Sequence, residues 1–381
     1  MRILHSIRSV DPRNGGPIEG VKLLADYHQQ EGREVEVVSL DGPGDEWVRQ
    51  FPLRVHALGP VGTKYGFTPR LRSWLKGHGA SYDAVIINGL WQFNSLAVWS
   101  ALRGSGTPYY VFTHGMLDPW FKRAYPLKHV KKWLYWPWAE YRVLRDARAV
   151  FFTSEEERRL ARQSFWLYRC REVVVGYGTK PPPGDAAEQR ARFLGVFPKC
   201  AGKRLFVFMG RLHEKKGCDL VLQAFAVVAA ADPSLHLVMA GPDQEGWQGN
   251  LVDLARSLGL SGRVTWPGML KGDLKWGALR AAELFLLPSH QENFGIAVAE
   301  ALACGVPVLI SDQVNIWREI QESGAGLVDS DTQAGTLRSC RRWMQLSEPV
   351  RQAMREKAER CFRERFAMEH VAARVIRNML S

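Results

Sequence analysis

The chain has 381 residues, of which 46% are hydrophobic and 24% charged, with a formal net charge of +12. This is the composition of a soluble globular protein, and the length exceeds what one hydrophobic core normally serves, so two domains are expected. No run approaches the roughly 18 apolar residues of a membrane span, and the surplus of positive charge favours anionic partners without choosing among nucleic acid, anionic lipid and phosphorylated substrates.

The N-terminal "MRILHSIRSVDPRN" lacks an apolar region of signal-peptide length, so a cytoplasmic location is expected. The six cysteines, Cys170, Cys200, Cys218, Cys304, Cys340 and Cys361, are scattered with no CxxC pair, which argues against a zinc site or a disulfide framework.

In chain order, "RILHSI", "EVEVVSL", "AVIING", "YYVFTHG", "AVFFTS" and "EVVVGYG" read as strands in the first half. "RLFVFMG", "LHLVMAG", "RVTWPG", "LFLLPS", "PVLIS" and "GLV" do so in the second. Helical segments of roughly 10 to 15 residues lie between most of them, the pattern of βαβ units and parallel sheets covered on both faces. Between the halves, "GTKPPPGD" from Gly178 contains three consecutive prolines, which neither a helix nor a central strand tolerates, and it reads as a linker. After Asp331 the chain reads as helical to the end, with a basic amphipathic last segment. The expected domains are 1–180 and 181–361, followed by a helix over 362–381.

In doubly wound sheets ligands bind at the carboxyl ends of strands, and the informative residues follow strands. Gly15-Gly16-Pro17 suits a tight turn into a helix whose free amides could meet a phosphate, or is an ordinary turn. His114-Gly115 ends a strand, where a histidine either faces a substrate or is structural. From Asp118, "DPWFKRAYPLKHVKKWLYWPWAEYR" interleaves Lys122, Arg123, Lys128, Lys131, Lys132 and Arg142 with Trp120, Trp133, Trp136 and Trp138. This mixture suits a membrane interface, stacking on nucleotides, or a core fringed by lysines, and Pro126 and Pro137 forbid one long helix.

In the second half, Gly210-Arg211 closes a strand and Lys215-Lys216-Gly217 precedes a helix, two cations beside helix amides as a pyrophosphate would require. "LFLLPSHQENFGIAVAEALACG" reads strand, loop, helix. Glu292 lies in the loop, the amides of Asn293, Phe294 and Gly295 lie at the helix start, and Glu300 lies about 8 to 9 Å along the helix axis. A carboxylate among Ile, Ala, Val and Leu is either placed for a task or paired with something distant in sequence.

This segment resembles the E-x7-E motif of retaining GT-B glycosyltransferases of family 4, also called group 1. The resemblance extends from "FMGRLHEKKG" through "LVMAGP" and "VTWPGM" to "SGAGLV", and more loosely to "NGG" and "THG" in the first half. It implies two Rossmann-like α/β domains facing an inter-domain cleft, with acceptor bound by the first, a UDP- or GDP-linked sugar by the second, and the last helix, 362–381, crossing back onto the first. It also implies transfer with retention, without a cofactor or metal, to a glycan or lipid-linked acceptor. By resemblance, Arg211 and Lys216 hold the donor diphosphate, Glu292 meets the donor sugar and Glu300 the ribose. Gly16 approaches the phosphate and His114 lies beside the sugar. Gly210, Asn293, Phe294, Gly295 and Ile296 contact the donor, and the loop at Gly268, Met269 and Leu270 receives the base. Where the family often carries a "PNGVD"-like turn, this chain reads "VGYGTKPPP", which leaves the linker contacts open. Asp329-Ser330-Asp331 spells DxD but follows the last strand and reads as a turn.

A sugar-nucleotide epimerase of the same fold would need acid-base carboxylates in place of this donor motif. A non-catalytic nucleic-acid binder would explain the charge but not Glu300, so no nucleic acid is expected as a partner. A peripheral location on the inner face of a membrane, through Trp120–Arg142, accompanies the expected role in polysaccharide biosynthesis.

Overall fold

The computed structural model describes residues 1–380 and divides into two units, Met1–Gly178 with Met368 onward, and Thr179–Ala367. The first unit is built on a seven-stranded parallel sheet. Its strands are β1 (Arg2–Ser6), β2 (Glu34–Ser39), β3 (Arg54–Ala57), β4 (Ala84–Asn88), β5 (Tyr109–Phe112), β6 (Ala149–Phe152) and β7 (Glu172–Val174), in the order β3-β2-β1-β4-β5-β6-β7. Strands near the centre are apolar on both sides because helices cover both. Leu4, Val85, Ile87 and Val111 pack into the core on one face, and Ile3, Ile86, Tyr110 and Phe112 into that on the other.

The second face is closed by two helices far apart in sequence. Gly16–Gln30 contributes Ile18, Val21 and Leu24, and Met368–Leu380 contributes Val371, Val375 and Ile376. The Tyr110 hydroxyl also donates to the carbonyl of Met379 at 3.2 Å. The strand absent from the sequence expectation is β3, "RVHA". It is an edge strand whose residues are all partly exposed, so it carries no apolar run to mark it.

The second unit is a six-stranded parallel sheet of β8 (Arg204–Met209), β9 (Leu235–Ala240), β10 (Val264–Gly268), β11 (Ala282–Leu287), β12 (Val308–Ser311) and β13 (Gly326–Asp329), ordered β10-β9-β8-β11-β12-β13. Both sheets reverse direction of winding once, between β1 and β4 and between β8 and β11. These reversal points are where the loops leaving adjacent strands diverge and leave room for a ligand. The loops carrying Gly16, Gly210-Arg211 and His290–Gly295 leave β1, β8 and β11.

Candidate functional site

In the second unit, three strand ends are stitched to one another. The Gly210 N–H donates to Ala240 O at 3.0 Å, Leu212 N–H to Pro242 O at 3.1 Å, and Gly241 N–H to Gly268 O at 2.8 Å. A Cβ on Gly241 would lie 1.7 Å from the Gly210 carbonyl oxygen, so this approach requires glycine. The stitching sets Gly210-Arg211 and the Gly268–Leu270 loop on the two sides of Ala240–Pro242; in that loop Met269 is exposed and Leu270 buried.

The turn from β8 into the helix Cys218–Ala231 passes through Glu214–Lys216 and the left-handed Gly217 (φ 66°), where a Cβ would meet Pro288 O at 2.3 Å. That contact seats the turn on the end of β11, and His290 N–H donates to Lys215 O at 2.9 Å. As a result the Lys216 ammonium donates to the Glu292 carboxylate, a contact between two residues that sequence reasoning assigned separately.

Glu292 is itself fixed by backbone bonds. Its N–H donates to Gln313 O, and Asn315 N–H donates to its carbonyl, both at 3.0 Å. Burial pushes the Glu292 carboxyl upward, but Lys216, Lys215 and the Asn293 N–H outweigh it and hold the carboxyl below the ordinary range. It is therefore an ionised acceptor at neutral pH. Arg211, by contrast, is exposed and makes no ion pair or hydrogen bond among the described residues. A guanidinium with five unused donors is free to bind an anion.

The helix Ile296–Ala303 begins after left-handed Gly295 (φ 79°), within two residues of the start read from the sequence, and its first bond is Val298 N–H to Gly295 O at 2.8 Å. The amides of Gly295 and Ile296 precede that bond, as an anion site at a helix start requires. Phe294 is buried against Phe366, ring centres 5.6 Å apart, so only its backbone faces outward chemistry. Asn293 Oδ1 accepts from Asn315 Nδ2 at 3.3 Å.

Glu300 is 8% exposed, and its Oε1 accepts from the Lys275 ammonium at 2.7 Å. Lys275 lies on the helix Gly272–Ala281 with its ammonium 4.1 Å from the centre of the Trp276 ring. The sequence question about a carboxylate in an apolar helix thus has a partner as part of its answer. Nothing local in "KGDLKWGAL" distinguishes Lys275 from a solvated lysine. The carboxylates of Asp329 and Asp331 are engaged by Arg338 (2.5 Å) and His290 (2.8 Å), the arrangement of a strand-end turn.

In the first unit, Gly16 opens its helix after Gly15 with Pro17 in the first turn, and its carbonyl accepts from the Tyr177 hydroxyl at 2.8 Å. His114 has φ 47°, a left-handed backbone that is costly for a non-glycine residue. Its Nε2 pairs with Asn88 Oδ1 at 3.3 Å, and its ring stacks near Phe112. Burial lowers its pKa to about 4, so the imidazole is neutral at pH 7.

The strained turn is held by Glu157, which sequence reasoning missed. One of its oxygens accepts from Thr113 Oγ1 (2.6 Å) and Gly115 N–H (2.5 Å), the residues flanking His114. The other accepts from Thr153 N–H (2.7 Å) and Oγ1 (2.6 Å). In sequence Glu157 is the third of three glutamates in a helix first turn, where acidic residues are ordinary surface caps.

The Trp120–Arg142 segment forms helices Trp120–Ala124, Pro126–Tyr135 and the start of Glu140–Asp146, broken at Pro126 and before Glu140. Trp136 is not an interfacial residue but core, fully buried and stacked on Phe165 at 4.3 Å. Lys132 also turns inward, its ammonium 4.5 Å from the centre of the Trp91 ring. Trp133 and Trp138 remain outside, with Leu127, Val130 and Leu134.

The family model Glycosyl transferases group 1 matches residues 191–365, and the Glycosyl transferase 4-like domain matches residues 15–178. The chain belongs to the family-4, group 1 glycosyl transferases. A D-inositol 3-phosphate glycosyltransferase of Rhodococcus jostii is 33% identical over 242 residues, 60% of this chain and 51% of that protein. The namesake of Nocardia farcinica is 34% identical over 198 residues, 50% of this chain and 43% of that protein, so this family member spans about half the length of the curated relatives it matches. Among solved structures, Anabaena HepE in complex with UDP superposes with a TM-score of 0.81 over 100% of both chains at 17% identity, a likeness of fold. Sucrose-phosphate synthase of Thermosynechococcus elongatus does so at 0.77, over 99% of this chain and 97% of that one, at 18% identity. The GT-B architecture is therefore that of the whole family member, both sheets included. Among its described residues no helix is long and apolar enough to cross a membrane.

Proposed function

We infer that the protein transfers a glycosyl group, with retention, from a UDP- or GDP-linked sugar to an acceptor hydroxyl on a lipid-linked or polysaccharide-precursor glycan. The observation that carries this reading is the arrangement around Lys216. A fixed, ionised Glu292 lies against its ammonium, the unpaired Arg211 follows the adjacent strand, and the start of the Ile296–Ala303 helix follows Glu292 in sequence. Arg211, Lys216 and the helix amides neutralise the diphosphate as it departs, in the role a divalent cation plays elsewhere, which is preorganised electrostatic stabilisation. Glu292 accepts hydrogen bonds from sugar hydroxyls, and its charge, maintained by Lys216, strengthens them.

Glu300 receives the ribose, Gly210 and the Met269-Leu270 loop receive the base and nucleotide, and Asn293, Phe294, Gly295 and Ile296 offer backbone donors. In the first unit, Gly16 approaches the phosphate, and neutral His114 hydrogen-bonds a sugar hydroxyl. A uridine nucleotide as donor is supported by the UDP held by Anabaena HepE. A polar acceptor presented at a membrane surface is supported by the exposed apolar and basic residues of 120–142.

The experiment is release of nucleoside diphosphate from a panel of nucleotide sugars and acceptors, in chelator, for the protein and for Arg211→Ala. Because Arg211 has no structural partner, its loss should leave the melting temperature unchanged and lower turnover about 100-fold. Wild-type turnover in Arg211→Ala at saturating donor, or activity that vanishes in chelator and returns with magnesium or manganese, would contradict the reading.

A further inference from the structure

Three polar side chains near the strand ends of the first unit are joined in a line. Asn88, the last residue of β4, is buried and lies between His5 on β1 and His114 beyond β5. Its Nδ2 donates to the Ile86 carbonyl at 3.3 Å and lies 3.2 Å from His5 Nδ1, while its Oδ1 lies 3.3 Å from His114 Nε2.

These contacts fix where the ring protons are. A peptide carbonyl only accepts, so Ile86 O selects the NH2 half of the amide and turns Oδ1 toward His114. An amide oxygen also only accepts, so His114 Nε2 carries the ring proton. Burial, which lowers the His114 pKa to about 4, leaves the neutral ring no second proton at pH 7. Nδ1 is therefore a bare lone pair. It has no partner among the described residues, yet it is not enclosed.

The ring is held on its other sides. Phe112 stacks near it with centres 5.5 Å apart, and the Tyr177 ring meets it edge-on at 6.1 Å. The Tyr177 hydroxyl donates to Gly16 O, which ties the imidazole to the turn leaving β1. Glu157 clamps Thr113 and Gly115 on either side but bonds neither ring nitrogen. Backbone shape and proton placement at His114 are thus set by different residues. The ionisable groups around the ring are His5 across Asn88, Glu157 on the flanking residues and Tyr177 at its edge.

An acceptor with no hydrogen of its own selects its ligand. It takes a hydroxyl, and it repels carboxylate or phosphate oxygen, which also offers only lone pairs. A nitrogen of such low pKa is a weak base at neutral pH, so its role is to accept a hydrogen bond and not the proton itself.

We propose that Asn88 is a positioning residue that holds His114 as the Nε2–H tautomer, so that Nδ1 accepts a hydrogen bond from a hydroxyl of the transferred sugar. This deepens, and rests on, the reading that His114 hydrogen-bonds a sugar hydroxyl.

The test is 15N NMR of the full chain with labelled histidine, His114 being assigned by its loss in His114→Gln. At pH 7 wild-type His114 should show a protonated Nε2 and a pyridine-like Nδ1. UDP-glucose or GDP-mannose should move the Nδ1 signal in the direction of an accepted hydrogen bond, and UDP or GDP alone should not. Asn88→Leu, close in size but without polar atoms, should mix the tautomers and weaken nucleotide-sugar binding about five- to tenfold, the worth of one hydrogen bond, with nucleoside diphosphate binding unchanged and melting temperature reporting the fold. Asn88→Asp keeps an acceptor for Nε2–H, so at pH 8 it should restore both the tautomer and the affinity. Because a carboxylate favours the imidazolium, which cannot accept at Nδ1, its sugar affinity should fail at a higher pH than the wild type's as the solution is acidified. An Nδ1–H or imidazolium His114 in the wild type at pH 7 would overturn the proposal and requires no variant to fold. Asn88→Leu with the wild-type tautomer would overturn it as well. If the tautomer depends on Asn88 but bound nucleotide sugars leave Nδ1 unmoved, the sugar contact of His114 fails, and with it Asn88's part in the reaction, while the proton placement stands.

Discussion

Replacing Lys275 with methionine separates architecture from binding at Glu300. Methionine keeps the stem against Trp276 but removes the ammonium that lies 2.7 Å from Glu300 Oε1. The side chains of Lys275 and Glu300 are 24% and 11% exposed, so the pair sits at the boundary of the interior. At an effective dielectric constant of about 20, the separation corresponds to about 6 kcal/mol of attraction, most of which offsets desolvation of the two charges. Removing one partner leaves the other charge largely buried, which costs roughly 3–5 kcal/mol in full interiors. The residual exposure reduces that to roughly 2–3 kcal/mol. For a unit of this size, about 2–4 °C accompanies each kcal/mol, so melting should fall by roughly 4–12 °C. Glu300→Gln behaves differently, because its amide oxygen still accepts from Lys275. It should melt within a few degrees of wild type yet bind nucleoside diphosphate about tenfold more weakly, since a neutral acceptor makes a weaker bond to ribose hydroxyls. Differential scanning calorimetry and calorimetric titration with UDP and GDP read both quantities. Lys275→Met melting with the wild type would refute the pair's structural role. Unchanged affinity of Glu300→Gln for either nucleotide would refute the ribose role and leave Glu300 as architecture.

Two further expectations concern the first unit. Burial lowers the pKa of His5 to about 3 and of His28 to about 4, and neighbouring histidines and Arg33 act in the same direction. Groups depressed in this way stabilise the fold above their unfolded value of about 6.5 and lose that contribution as pH falls toward 4, so each should cost roughly 2 kcal/mol at pH 5 relative to pH 7. Denaturant unfolding at the two pH values checks this, and equal stabilities would contradict it. Glu157→Gln keeps one acceptor oxygen but places an NH2 against two of the four donors now bound. It should destabilise by about 2 kcal/mol or more and lower turnover beyond what the fraction folded explains, because the left-handed turn at His114 loses its clamp. Full specific activity in the folded variant would remove Glu157 from the positioning of His114.

The alternation of strand and helix is legible in this sequence because strands covered on both faces must be apolar throughout. The resemblance to group 1 glycosyl transferases is legible because the residues that carry it most specifically lie within one loop and one helix. β3 is not legible, since an edge strand needs no apolar run, and "RVHA" has none to show. Tertiary structure alone decides the partners. Lys216 meets Glu292 across 76 positions because β8 and β11 are neighbours in the sheet and Gly217 lets the intervening turn rest on Pro288. Lys275 and Glu157 look like solvated charges in sequence, yet one is paired with a buried carboxylate and the other is itself buried. Trp136 and Trp133, three residues apart in one basic aromatic run, go to core and surface respectively. Local pattern reports periodicity and strand ends, whereas the side of an element that becomes interior, and the charge that waits there, follow from which strands the chain lays side by side.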